Sequence, residues 1–246
     1  WISDWVFLAE RYAGNDAVIA FDLNNEPHDS ATWGSSNPST DWNKAAERCA
    51  TAIHAVNSEA LIVIEGVENI DGANYWWGGN LKGVRTTPIE IPAMNKLVYS
   101  AHEYGPEVYE QPWFDDADFP NNLSGLWDEH FGFVMTENLG HVLIGEFGIR
   151  SADANGGKAG QWFETFVDYM ASDYSWTFWF LNPNSGDTGG ILQDDWMSVH
   201  QWKLDALTPH LAPMIGNGSE AVTTTPTEGE DSTERVENPF SDTLFY

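Results

Sequence analysis

The sequence predicts an α/β fold and, within that class, a (β/α)8 TIM barrel. Three observations lead there. Five near-continuously apolar runs alternate with helix-like segments along the 246 residues. Runs that are apolar on both faces fit parallel strands covered by helices, and the βαβα order fits the same class. Run after run then ends in a polar cluster, and no glycine-rich phosphate loop follows any of them, which weakens the nucleotide-binding open sheet. In a barrel such strand ends converge on one face, where active sites sit.

The elements follow in order. An amphipathic stretch, "WISDWVFLAERYAG", opens the chain as a helix and leads into the first strand, 17–27 ("AVIAFDLNNEP"). A helix is expected over 42–56, with Asp41 placed to cap it. Strands follow at 60–66, 96–104, 142–148 and 176–182, with helical patterns at 122–138, 158–171 and 196–207. Five strands are legible where a closed barrel needs eight. Residues 1–212 are therefore expected to carry about strands 4–8, with roughly a hundred residues and three strands upstream of Trp1. Residues 213–246, "PMIGNGSEAVTTTPTEGEDSTERVENPF" and onward, are rich in Thr, Glu, Ser and Pro and poor in apolar residues. That composition reads as an acidic linker or disordered tail.

Composition narrows the function classes. There are 38 Asp and Glu against 10 Lys and Arg, a formal net charge of −28. A chain this acidic repels phosphate backbones and anionic membranes, so neither nucleic acid nor a membrane is an expected partner. Acid spread over the body with few lysines suits solubility in molar salt, where self-repulsion is screened; an ordinary acidic secreted enzyme is the plainer reading. The lone Cys49 permits no internal disulfide and falls in a helical pattern, as a buried small apolar residue would. Thirteen tryptophans are many for this length; they suit core packing and also flat sugar-binding platforms.

Strand-end residues carry the chemistry. Asn25-Glu26, Glu65, His102-Glu103-Tyr104, Glu146 and Asn182 all close apolar runs. Polar groups there are costly unless paired or solvated, so they mark a site or the surface. Two carboxyls on one barrel face suit glycoside hydrolysis, in which one protonates the leaving oxygen and the other attacks the anomeric carbon or activates water. Among 38 acids, position alone does not separate Glu26 and Glu146 from Glu65 and Glu103. No His/Asp/Glu spacing suggests a metal site. His28, His54 and His141 read as ordinary structural or surface residues.

The local sequences sharpen the choice. "DLNNEPHDSATWG", "NYWWGGNL", "LVYSAHEYGPEVY", "FPNNLSGLWDE", "IGEFG" and "WTFWFLNPNSGDTGGILQDDW" occur in this order over residues 1 to about 212. Together they resemble glycoside hydrolase family 5, specifically its bacterial-type endo-β-1,4-glucanases (cellulases). The resemblance implies retaining, endo-acting hydrolysis of cellulose or a related β-1,4-glucan without metal or organic cofactor. It assigns Glu26 as acid/base and Glu146 as the nucleophile that forms a glycosyl-enzyme. Asn25 would hold the sugar 2-OH, and the Tyr104 hydroxyl would keep Glu146 ionised. His102 would join the network around the acid/base and the sugar, and Trp179 would be the platform at the cleavage point. Trp77, in the Gly-rich loop, is favoured over Trp76 as a sugar-stacking wall. Tyr109 is expected on the leaving-group side. Asp187 contacts a sugar or shapes its turn, and Glu65 is expected to be a buried polar support. An Arg and a His that family members carry on earlier strands are not in this chain. β-Mannan or another β-glycan remains an alternative substrate. A non-catalytic glucan-binding or inactive truncated barrel is the alternative from another class. The resemblance further implies secretion, a monomer, and a tail that either joins a carbohydrate-binding module beyond Tyr246 or simply solubilises.

Overall fold

The computed structural model describes residues 1–171 and 173–212; the expected linker at 213–246 lies outside the described residues. Helix α1 (Ile2–Arg11) leads into strand β1 (Ala20–Asp22), and α2 (Trp42–His54) leads into β2 (Leu61–Glu65). A short hairpin, β3 (Asn69–Ile70) and β4 (Ala73–Asn74), follows before β5 (Leu97–His102). Helices α3 (Leu123–Trp127) and α4 (Phe133–Thr136) flank one π-helical turn, Asp128–Gly132. The chain continues through β6 (Val142–Glu146), α5 (Lys158–Met170), β7 (Ser175–Trp176) and α6 (Gln201–Leu207). Strands β1-β2-β5-β6-β7 form one sheet in that order, and every pairing is parallel. This is a partial (β/α)8 barrel, with β1 and β7 as its two edges.

Each strand's apolar run now has a cause. Ile62 and Ile64 of β2, Tyr99 and Ala101 of β5 and Ile144 of β6 are all buried. They pack with Ala46, Cys49, Ala50 and Ile53 of α2 and with Trp162, Phe163, Phe166 and Val167 of α5 into one continuous core. These residues share the helix-covered face; on the other face Val63 is buried while Val98 and Leu143 are half-buried. Strand β1 is shorter than the run that contains it, and β7 (Ser175–Trp176) overlaps the expected run 176–182 only at Trp176; each of the two pairs on one side alone.

Two local features differ from expectation. Asp41 does stand at the N-terminus of α2, but its carboxylate makes no cap bond there. It accepts instead from the backbone N–H of Gly34 at 3.0 Å and of Ser36 at 2.8 Å, folding the 32–41 loop over the sheet end. The 122–138 pattern is helical, but as two short α-helices around a π turn rather than one helix. A π turn shifts the register of the face that follows it, which suits a segment whose apolar residues meet both α5 and the loop at 81–84.

At the sheet end the β5–β6 register shifts: Ala101 pairs with Ile144 but His102 with Glu146, which leaves Gly145 as an extra residue on β6. A bulge re-aims the side chain that follows it. Beyond β6, Gly148 lies under the Trp179 carbonyl, and a Cβ there would also meet Thr188 Cβ at 3.1 Å. The last turn of the "GEFG" run is thus packed backbone to backbone. Gly148→Ala is expected to lower stability by about 2 kcal/mol, the typical cost of overpacking. A urea midpoint matching that of the parent chain would show that the loop yields freely.

Candidate active site

Parallel strands bring their C-terminal ends to one face, and the polar residues read at those ends meet there. Glu26 follows β1, Glu65 ends β2, His102 ends β5 and Glu146 ends β6. His102 Nδ1 lies 3.0 Å from Glu26 Oε1 and 3.5 Å from Glu146 Oε2, and its Nε2 lies 3.6 Å from Glu65 Oε1. One carboxylate oxygen each of Glu26 and Glu146 and a ring nitrogen of His102 lie within 4.8 Å of one another. That spacing could also ligate a divalent cation; here the imidazole links the two carboxylates.

Glu65 holds the acid's backbone as well as the imidazole. Its Oε2 accepts the N–H of Glu26 at 2.9 Å, and Glu26 adopts a left-handed φ of 49°. Such a φ costs a non-glycine residue about 1 kcal/mol or more, so an anchoring bond is needed to keep it. Gly78 lies against the same carboxyl, in the left-handed region at φ 69° and with no space for a Cβ. The glycines of "WWGGN" therefore serve this approach as well as the turn.

The electrostatics follow from burial. Desolvation pushes the Glu65 carboxyl up to about 8, against the pull of His102. Burial is the strongest single influence on His102 and disfavours its charge. The hydrogen bond to Glu26 and the charges of Glu65, Glu146 and Glu26 outweigh it, so the His102 pKa is raised. Glu146 is also raised, first by burial, while His102 and the Tyr104 hydroxyl pull it back. Tyr104 donates to Glu146 Oε2 at 2.5 Å, and burial with the Glu146 charge holds its own proton firmly in place.

The remaining sequence-derived residues fall around this centre. Trp77 is 47 % exposed and stacks on His28 at 4.0 Å between centroids. His28 in turn contacts the Glu26 carbonyl through Nδ1 at 2.5 Å, so it backs the Trp77 platform beside the acid. Trp76 is buried and meets Tyr104 edge-on at 6.0 Å. Trp179 is 40 % exposed, and its N–H donates to the Phe147 carbonyl at 2.7 Å; the Trp179–Phe180 peptide is cis. Asn25 is exposed beside Glu26, where a cleft of about 340 Å³ opens between Asn24, Glu26, His28 and Trp42. Asp187 accepts from Ser185 Oγ at 2.5 Å and from the Thr188 N–H at 3.0 Å. It therefore shapes its turn, while its charge also bears on Glu146. Tyr109 is 66 % exposed and is not drawn into the cluster.

Lys203 went unread in the sequence. Buried on α6, it donates to the Gly190 carbonyl at 2.7 Å and the Thr188 carbonyl at 3.4 Å, tying down the loop that carries Asp187. Burial lowers its pKa to about 8.

These shifts fix a sign for pH dependence. Glu65 at about 8 and the buried Glu103 at about 7 both stand above the ordinary 4.5. The folded chain therefore binds protons that the unfolded chain releases, and His102 adds in the same sense. His130 and His200 oppose with smaller shifts. The stability lent by the two glutamates is complete below their unfolded pKa and is lost as pH rises through about 7 to 8. The urea midpoint is expected to fall between about pH 5 and about pH 8; a midpoint that rises across that window would contradict the assignment.

Comparison with known proteins adds the family. Residues 1–185 match the model of the cellulase family, glycosyl hydrolase family 5. An endoglucanase of Paenibacillus polymyxa is 48% identical over 225 residues, which cover 90% of this chain and 56% of that protein. The major extracellular endoglucanase of Xanthomonas campestris pv. campestris is 44% identical over 214 residues, covering 84% of this chain and 43% of that protein. The chain thus spans about half the length of these curated relatives. Its structure superposes on the catalytic domain of the Xanthomonas enzyme with a TM-score of 0.79 at 42% identity, over 85% of this chain and 61% of that one. It superposes on an endocellulase of Pyrococcus horikoshii, in complex with cellotetraose, with a TM-score of 0.78 at 42% identity, over 84% and 61%. The match to the family model across most of the chain places it in one group: the chain belongs to the cellulases of glycosyl hydrolase family 5.

Proposed function

We propose that the protein hydrolyses internal β-1,4-glucosidic bonds of cellulose or a related β-glucan with retention of configuration. The observation that carries this reading is the close pair of carboxyls at two strand ends, linked by one imidazole. Retaining enzymes hold their carboxyls about 5–5.5 Å apart, whereas inverting enzymes leave about 6.5–9.5 Å for a water. Oxygens of the two carboxyls that approach within 4.8 Å of each other support the first spacing.

The roles follow from the partners. Glu146 attacks the anomeric carbon, and the Tyr104 hydroxyl and charged His102 favour the carboxylate it needs to be. Glu26 gives its proton to the departing glycosidic oxygen, whose bond to the anomeric carbon breaks. Glu26 then takes a proton from the water that releases the glycosyl group from Glu146, which restores both side chains. Asn25, exposed beside Glu26, would hold the sugar 2-OH, and the exposed Trp179 and Trp77 would offer flat faces to the glucan. Tyr109 and Asp187 would line more distant parts of the cleft. A polymeric substrate argues for secretion, and a relative named as a major extracellular endoglucanase supports it. The charge of −28 supports work in concentrated salt, where repulsion among the acids is screened.

The test is cleavage of cellotetraose followed by proton NMR, in dilute buffer and in molar NaCl. The first product is expected to be the β-anomer in both, with Glu146→Ala lowering turnover by about 10³-fold or more while glucan binding persists. An α-anomer as first product would refute the assignment of the nucleophile. Binding without cleavage by the unaltered chain would favour the glucan-binding reading, and rapid loss of activity in salt would remove the halophilic one.

A further inference from the structure

Between His102 and Tyr104 stands a third ionisable residue to which the proposed reaction gives no part. Successive side chains at a strand end point to opposite sides, so Glu103 faces away from the site, into the layer between sheet and helices. It is 0% exposed there, and a buried carboxyl is costly unless it is paired or richly hydrogen-bonded. No cation pairs with it among the described residues. The groups that face it are aromatic donors. The Tyr75 hydroxyl donates to Oε2 at 2.5 Å, and the Trp162 indole N–H donates to Oε1 at 3.2 Å. The buried indole N–H groups of Trp76 and Trp127 make no hydrogen bond, but they also favour its charge. An ionised carboxylate accepts about four hydrogen bonds and donates none, so the surroundings of Glu103 match it in sense, with two bonds made and two further donors turned to its charge.

The donors come from three parts of the fold. Trp127 lies on α3 and Trp162 on α5. Tyr75 and Trp76 begin the loop whose next residue is Trp77, and the Trp76 ring meets Tyr104 edge-on. The Glu103 N–H donates to the Glu146 carbonyl at 3.0 Å, so the same residue is tied to the strand of the nucleophile. We infer that Glu103 is a positioning residue: its buried carboxylate gathers the 75–77 loop, α3 and α5 onto the strand end that carries His102 and Tyr104, and thereby seats the Tyr104 hydroxyl on Glu146. The chain of contact runs from Glu103 to Tyr75, from the adjoining Trp76 to Tyr104, and from Tyr104 to Glu146. Burial raises the Glu103 pKa to about 7 while the four donors oppose it. The titratable neighbours on this side are Tyr75 and, through it, the stacked His130 and Tyr169. Those that face Glu146 are His102, Tyr104, Glu26 and Asp187.

The inference rests on the proposed function only where it concerns turnover, so the deciding readout is independent of activity. In the full chain labelled with carboxyl-¹³C glutamate, the Glu146 resonance is identified by its loss in Glu146→Gln and followed against pH. Glu103→Gln keeps the size but turns an NH2 group toward the indoles and the phenol. It is expected to move the Glu146 midpoint to higher pH by about half a pH unit or more, as Tyr104 loosens its hold. Tyr75→Phe, which removes one donor remote from Glu146, is expected to move it the same way by less; it carries the test if Glu103→Gln does not fold. A lower melting temperature with the Glu146 midpoint unmoved in both variants would overturn the inference and leave Glu103 a packing residue. If the parent chain fails to cleave cellotetraose, the glucanase reading falls while the carboxyl titration still decides this one.

Discussion

One buried imidazole holds this site together. Three carboxyl groups, those of Glu26, Glu65 and Glu146, are gathered within reach of His102. Like charges brought this close suppress one another's ionisation unless a positive group lies between them. Burial raises Glu65 and Glu146 and His102 pulls both back, so the imidazole favours the anion that Glu146 must be as a nucleophile. The acids in turn stabilise the imidazolium against the penalty of burial, and the imidazolium stabilises the acids. Neither half is favourable alone.

The fold is arranged around that reciprocity. A parallel sheet delivers its polar strand ends to one place, and the extra residue at Gly145 of β6 brings Glu146 level with His102. Glu65 serves twice, accepting the Glu26 N–H and facing the imidazole. It thus couples the strained backbone of the acid to the charge that organises the site. Cations elsewhere are few and are used for tertiary links. Lys82 pairs with Glu129, Arg85 with Glu137, Lys96 with Glu59 and Lys158 with Asp115, while Lys203 is buried under the Asp187 loop. The chain's acidity is therefore a property of its surface more than of its core.

Much of this was legible in the sequence, and the reasons are physical. Continuous apolar runs can form only where both sheet faces are covered, so the five strands and their parallel sense could be read. Polar residues that close such runs are costly unless they share a site, which marked Glu26, Glu65, His102, Glu103, Tyr104 and Glu146 alike; the local motifs shared with family 5 chose among them. What could not be read depends on direction and depth. Asp41 had the right type and place for a cap, but its carboxylate bonds the loop before it. Lys203 reads as a solvated helix residue because nothing local reveals the loop that covers it. Glu103 was visible as one more strand-end acid. Alternation along "HEY" assigns it to the opposite side from its neighbours, but the indoles that receive it come from segments up to 59 positions away.

The most direct test is the protonation state of His102 itself, read from the ¹H–¹⁵N NMR correlations of its ring near neutral pH. The midpoint at which both ring nitrogens carry protons is expected above the ordinary 6.5. A neutral ring in a single tautomer, titrating below that value, would mean that burial outweighs the carboxylates and that the imidazole does not hold the site's charge.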